Sequence, residues 1–277
     1  MKTIASRNNP ETILAASLLK KKGRDETGLF TAEGEKLFFE AAKPENRNRI
    51  DRVYLSEPVK DRYLPVLTDL LGRDFVESDR TVLFSEPAFQ KISSEKSPQG
   101  IITVLKTIDF SKKYIKINKK DVSLFEGRRI VALDGVRDPG NLGAVVRSAV
   151  AFGFSDVVMT SDCVEVTNPK TVRAAMGGVF SIGFHVVFDF ASFISSARAS
   201  GRRVFAAELR DGAKPIGSIG LQSSDVVVIG NEGHGISPAV SALCDASVYI
   251  PISSSSESLN AAVAASLFLW EQSKAGN

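Results

Sequence analysis

The chain has 277 residues, 43% of them hydrophobic and 24% charged, with a formal net charge of +3. That length is generous for one core and favours two domains, and the composition is that of an ordinary globular fold, not a disordered, fibrous or membrane-spanning chain. Cys163 and Cys244, with His185 and His234, are too few and too badly spaced for a disulfide framework or a zinc site, and MKTIASRNNPE lacks a signal-peptide pattern, so a cytoplasmic, metal-free protein without a membrane partner is expected.

Thr12–Lys22 carries apolar residues at Ile13, Leu14, Ala16, Leu18 and Leu19, a helical spacing predicted to end at Gly23. The tract Lys20-Lys21-Lys22-Gly23-Arg24 overlaps that end. Clustered cations attract phosphate groups, although a solvated lysine surface is the plainer explanation. Leu29–Gly34 reads as a strand and turn, Glu35–Ala42 as a helix, and Arg52–Leu55 and Gly100–Leu105 as strands. After Leu105 the pattern dissolves. Residues 1–110 hold 18 Lys/Arg against 17 Asp/Glu, residues 111–129 hold 7 against 2, and residues 130–277 hold 10 against 13. The positive excess therefore sits in one connecting stretch. This places a basic linker at 107–128, between domains at 1–106 and 129–277.

From Arg129 onwards short apolar runs predict strands at Ile130–Leu133, Asp156–Met159, Val186–Phe188, Val204–Glu208, Val226–Ile229 and Val248–Ile250. Helical periodicity marks Leu142–Phe152, Lys170–Phe180, Ala191–Ser200 and Leu259–Gln272. Nearly continuous apolar strands alternating with helices require a mostly parallel sheet covered on both faces, hence an α/β domain. Such sheets hold ligands beyond the carboxyl ends of their strands.

Three loops follow strands. The first, Leu133–Arg147, leads into a helix opening near Asn141, a natural N-cap. Arg147 lies among Val145, Val146, Ala149 and Val150, where a buried guanidinium needs an anion or an internal salt bridge. The second, Ile229-Gly-Asn-Glu-Gly-His-Gly-Ile-Ser237, has the order G-x-x-G-x-G, which matches neither a dinucleotide fingerprint nor a phosphate loop. Glu232 sits among its glycines, and His234 reads as a surface-turn residue. The third, IPISSSSESLNAA from Ile250, has the composition of a linker. Yet it runs straight into a largely apolar helix that Ser258 is placed to cap.

In order, D-x-V-R-D-P-G-N-L-G-A-V-V-R-S-A, V-V-I-G-N-E-G-H-G-I-S and I-P-I-S-S-S-S-E-S-L-N-A-A-V-A-A resemble the three motifs of the SpoU (TrmH-type) RNA ribose 2′-O-methyltransferases. Asn168-Pro-Lys-Thr-Val-Arg-Ala-Ala-Met-Gly-Gly178 is similar to the family's stretch between the first two motifs. S-R-x-N-P, L-L-K-K-K-G-R-D-E-T-G-L-F and A-E-G-E-K-L are similar to its L30e-like substrate-binding domain. The resemblance implies a C-terminal α/β domain of the SPOUT type, with a deep trefoil knot that chain topology ordinarily avoids, and a smaller α/β domain before it. It also implies S-adenosylmethionine bound at the knot, a homodimer whose active site uses both subunits, and structured RNA as substrate, ribosomal in preference to transfer RNA.

Matched residue by residue, the resemblance implies functional roles for Asn141 and Arg147 of the first motif, Glu232 of the second, and Ser258 and Asn260 of the third. Main chain near Leu209, Gly230, Ile250 and Leu259 would form the cofactor pocket, and Lys20, Lys21 and Arg24 would help to dock RNA. The chain departs from the pattern at Ser254, where glycine is usual, and at Ala261, where valine is usual. Ser254 would alter the backbone path beside the cofactor.

Methyl transfer from a sulfonium to a 2′-hydroxyl is an in-line displacement that needs alignment and the removal of one proton, with S-adenosylhomocysteine as product and no metal. The resemblance implies Arg147 as proton acceptor. Because a guanidinium keeps its charge, binding of the adjacent phosphate and stabilisation of developing negative charge are the expected role. Two other classes stay open: a non-catalytic RNA-binding knotted protein, and a nucleotide-binding oxidoreductase, which the missing dinucleotide fingerprint disfavours.

Overall fold

The computed structural model describes residues 1–107 and 125–276. Most of the expected basic linker at 107–128 therefore lies outside the described residues. The first part of the chain forms β1 (Lys2–Ile4), α1 (Pro10–Ser17), α2 (Lys21–Thr27), β2 (Leu29–Glu33), α3 (Glu35–Ala41), β3 (Ile50–Ser56), α4 (Lys60–Leu71), α5 (Arg73–Glu77), β4 (Thr81–Phe84), α6 (Glu86–Ile92) and β5 (Ile101–Lys106). The second part forms β6 (Ile130–Leu133), α7 (Pro139–Ala151), β7 (Asp156–Thr160), α8 (Pro169–Ala174), β8 (Gly183–Val187), α9 (Phe190–Ala199), β9 (Val204–Ala207), β10 (Lys214–Pro215), β11 (Val226–Ile229), α10 (Pro238–Ser241), β12 (Ala246–Tyr249) and α11 (Ala261–Ser273).

By packing, the described residues form two compact units. One comprises 1–107 with Val166–Phe180, the other 125–165 with 181–276. The segment Val166–Phe180, which falls by sequence in the second domain, packs with the first. Lys170–Phe180 is not one helix either. It breaks after Ala174 at Met176 (φ 51°) and Gly177 (φ 97°), and ends in a single 3-10 turn at Gly178–Phe180.

The first unit is built on a five-stranded sheet in the order β1-β4-β3-β5-β2, in which β5 runs antiparallel to both of its neighbours. Its core gathers Ile4, Leu18, Tyr54, Phe84, Phe89 and Ile102. The predicted N-terminal helix stops at Ser17, and Gly23 lies inside the next helix instead of terminating the first. A β-carbon at Gly23 would stand 2.3 Å from the Ser17 carbonyl oxygen, so only glycine lets the two helices approach. The true stop is Gly28, left-handed at φ 64°, whose N–H donates to the Arg24 carbonyl. Arg24 turns inward, 4% exposed, and donates to the Leu18 carbonyl at 2.7 Å. It serves the fold and leaves the expected RNA-docking cluster, because a tertiary carbonyl draws its guanidinium under the α1–α2 turn. Lys20 and Lys21 are exposed, and Lys21 pairs with Asp25 at 2.6 Å along its helix.

The second unit is built on a seven-stranded sheet in the order β10-β12-β9-β11-β6-β7-β8, every neighbouring pair parallel. At the amino ends of its strands, buried Asp156 forms an ion pair with Arg128 and a hydrogen bond with His185 Nε2, each at 2.7 Å. Buried Arg202 donates to the carbonyls of Phe125, Arg128 and Ser224. Arg128, one cation of the lysine-rich stretch, thus holds the sheet. Strand β12 begins two residues earlier than predicted, so Ile250 lies beyond its end, in the loop. The chain runs from β6 outward to β8, then crosses back to build β9 to β12 on the other side. Strand order reverses between β6 and β11, which fixes the ligand crevice at their carboxyl ends. Among the described residues no helix is long and apolar enough to cross a membrane.

Replacing Gly23 by alanine tests the packing. An exposed helix would gain from the change, but here overpacking should cost about 1–3 kcal/mol. A urea titration should show a lower midpoint, and a raised one would refute the close approach.

Candidate active site

The helix after the first loop is capped by Asp138, whose Oδ1 accepts from the Asn141 N–H at 2.8 Å, with Pro139 in the first helical position. Asn141 is therefore not the cap, and its side chain is free to act across loops. Its Nδ2 donates to Glu232 Oε1 at 2.9 Å, and its Oδ1 accepts from Asn260 Nδ2 at 2.9 Å. Asn260 in turn caps α11, accepting from the N–H groups of Ala262 (2.9 Å) and Val263 (3.3 Å). The cap of this helix is thus Asn260 and not Ser258. One hydrogen-bonded chain, Glu232–Asn141–Asn260, ties together loops 91 and 119 residues apart in sequence.

Glu232 also accepts from the backbone N–H groups of Arg137 (3.2 Å) and Asp138 (3.1 Å). Burial pushes its carboxyl up, but the Asn141 amide and the surrounding N–H groups outweigh this and hold it below the ordinary glutamate range. It remains an anion near neutral pH and acts as a fixed acceptor.

Asn231, which the sequence reading passed over, knits the glycine-rich loop. Its Nδ2 donates to the Gly135 carbonyl at 2.6 Å, and its Oδ1 accepts from the N–H groups of Gly233 (2.9 Å) and His234 (3.1 Å). The signal available was an amide between two glycines, where local side-chain to backbone bonds are favoured. Ser237 N–H donates to Asp134 Oδ2 at 2.8 Å and joins the same two loops again. A β-carbon at Gly230 would stand 2.3 Å from the Gly235 carbonyl carbon, so this glycine is required by close approach of backbone. His234 is exposed at the loop tip.

Two adjoining cavities open beside this chain. One, of about 570 Å³, is lined by Gly230, Asn231, Glu232, Ser258, Leu259 and Asn260 among others. The other, of about 310 Å³, takes Leu209, Ile250, Ile252, Leu259 and Phe268 into its wall. All four residues expected around a cofactor, Leu209, Gly230, Ile250 and Leu259, thus meet here, with Ser258 on the rim. No lysine or arginine lines either cavity, whereas Glu208, Glu232 and Glu257 do. The serine run forms an exposed turn, closed by Ser256 N–H to the Ser253 carbonyl at 3.0 Å, with Ser254 at its crest.

Arg147 differs from expectation. The buried stripe of α7 is Leu142, Val145, Val146 and Ala149, and Arg147 falls off it into solvent. Among the described residues it makes no ion pair and no hydrogen bond to Glu232, Asn141 or Asn260. Helix α7 packs beside α11, where Ser148 and Ser266 hydroxyls meet at 2.7 Å. Among the described residues no cluster could hold a metal ion.

A carboxylate whose folded pKa is depressed contributes stability in full above its unfolded value and loses it as pH falls through the folded value. Hydrogen exchange should therefore find the Arg137 and Asp138 amides protected throughout the ordinary glutamate range and open only below it. Glu232→Gln should weaken that protection from the ordinary glutamate range upward. Opening within the ordinary range in the unaltered protein would contradict the lock.

Comparison with known proteins gives two family matches: the SpoU rRNA Methylase family over residues 128–270 and the MRM3-like substrate binding domain over residues 9–103. The 23S rRNA (guanosine(2553)-2'-O)-methyltransferase RlmP of Bacillus subtilis is 29% identical over 270 residues, 98% of each chain. The 23S rRNA (guanosine-2'-O-)-methyltransferase RlmB of Acinetobacter baylyi is 30% identical over 243 residues, covering 83% of this chain and 97% of that protein. A crystal structure of an AdoMet-bound rRNA methyltransferase from Sinorhizobium meliloti aligns with a TM-score of 0.77 at 30% identity, over 98% of this chain and 96% of that one. The first match spans more than half of the chain and contains all three loops of the site, and the protein belongs to the SpoU rRNA Methylase family.

Proposed function

We propose that the protein transfers a methyl group from S-adenosylmethionine to a ribose 2′-hydroxyl of structured RNA, with ribosomal RNA as the substrate and the cytoplasm as the place of action. The observation that carries this reading is the Glu232–Asn141–Asn260 chain beside two cavities free of lysine and arginine. A phosphate cradle would need cations or a glycine-rich helix start. Acid-lined, partly apolar walls suit instead an adenosine joined to a positively charged sulfonium. Leu209, Ile250 and Leu259 would hold the adenosine, and Glu232 and Glu257 favour the positive charge. When bound, S-adenosylmethionine supplies an activated methyl carbon.

The chain's own residues align and polarise. Asn141 and Asn260 hold the first and third loops in register, and Ser258 on the rim orients the ribose. Arg147 binds the neighbouring phosphate and stabilises the negative charge that develops on the 2′-oxygen as its proton leaves. The Lys20 and Lys21 ammonium groups add general attraction for the RNA backbone.

Arg147 meets this task in a homodimer. Along α11, Val263, Leu267 and Trp270 form an exposed apolar stripe at helical spacing. Covering that stripe with a second copy would bring Arg147, which projects to solvent from the adjoining α7, to the other subunit's site. The path of the chain supports a trefoil knot at the same place. After β12 it returns across the strand ends to α11, whose buried Gln272 donates to the Asp225 carbonyl at 2.8 Å, just before β11.

Arg147→Ala should leave cofactor affinity by calorimetry unchanged and lower methyl transfer to ribosomal RNA about 100-fold or more. Near-normal turnover would remove Arg147 from the reaction. Trp270→Glu should give monomers in sedimentation and abolish transfer. An active monomer would refute the shared site.

A further inference from the structure

Met176 is the one non-glycine residue with positive φ among the described residues, at 51°. Left-handed backbone of this kind favours glycine or asparagine. Strain of this sort usually persists where surrounding packing enforces it and where a side chain is needed in place. Packing does enforce the turn: at the next residue, Gly177, a β-carbon would meet Glu40 Cγ of α3 at 2.6 Å. Burial of the methionine cannot be the reason for its presence, because its side chain is 42% exposed.

Met176 overhangs a cleft of about 200 Å³ within the first unit, lined also by Lys36, Arg173 and Gln99 and by the carboxylates Glu33 and Glu95. Among the described residues Lys36 pairs with partly buried Glu40 at 3.6 Å and Arg173 with partly buried Glu95. Each cation has more N–H donors than its one carboxylate partner uses, so a phosphate can share them. Gln99 accepts from the Glu35 N–H through Oε1 at 2.8 Å, which points its NH₂ group elsewhere as a donor. Phe39, 43% exposed, lies one turn along α3 from Lys36. Apolar faces beside cations and an amide donor are what an unpaired nucleotide requires.

We propose that this cleft holds one unstacked nucleotide of the substrate RNA, away from the methyl-accepting ribose. Its base lies against Met176, its edge takes the Gln99 amide, and its phosphate takes Lys36 and Arg173. The inference rests on RNA as the substrate. It makes the segment 166–180, which lies between the first two catalytic loops in sequence, part of the RNA-reading surface of the first unit.

The test uses the full chain and an unmodified 23S rRNA transcript. Met176→Gly and Met176→Asn both accept left-handed backbone, so Tm should hold or rise. RNA KM, and RNA Kd by filter binding, should rise about tenfold, with kcat at saturating RNA and cofactor affinity unchanged. Met176→Leu, which keeps the apolar bulk, should stay near the parent protein. Unchanged KM and Kd in the glycine and asparagine variants would overturn the proposal and leave the face to a protein partner. So would a fall in Tm that parallels the loss of binding. If the parent protein binds the transcript but methylates nothing, the catalytic reading fails while the Kd comparison still decides this one.

Discussion

A primary amide that is not needed as a helix cap is the hinge of this structure. Asp138 satisfies the first turn of α7, so Asn141 has both its donor and its acceptor available for other loops. An amide between a carboxylate and a second amide can satisfy both only in one orientation, donating to Glu232 and accepting from Asn260. That orientation fixes the second and third loops relative to the first. Without it, the loops around the cavities would be joined mainly by Asn231 and Asp134, which bind the first to the second and leave the third untethered.

The sheet explains why so few side chains suffice. Seven parallel strands present all their carboxyl ends on one edge, and the reversal of strand order at β6 and β11 brings the first and second loops side by side. The amino edge is closed differently: buried Asp156 meets Arg128 and His185, and buried Arg202 donates to backbone carbonyls. Charge at one end stabilises the scaffold. At the other, Glu208, Glu232 and Glu257 line the cavities, and no lysine or arginine does.

The sequence was legible where pattern and structure obey the same local rule. Ile130–Leu133 and Val226–Ile229 are apolar on both faces because the strands are covered on both faces, and their bounds match. The caps show the limit at the site. Asp138 before Pro139 is the stronger start signal, so Asn141 could have been freed for other work by inspection. Ser258 and Asn260 are equally good caps by type, and only the backbone path decides between them. Arg24 and Arg147 exchanged their expected environments for one reason: neighbouring residue types do not tell which way a long cationic side chain turns.

The most direct test of the account is the chemical position of the transferred methyl. Purified protein, unmodified 23S rRNA and S-adenosylmethionine labelled in the methyl group should yield label in alkali-stable dinucleotides, because a 2′-O-methyl ribose removes the hydroxyl that alkaline cleavage needs. Label released in mononucleotides, or none transferred at all, would contradict a ribose-directed site built on Glu232, Asn141 and Asn260.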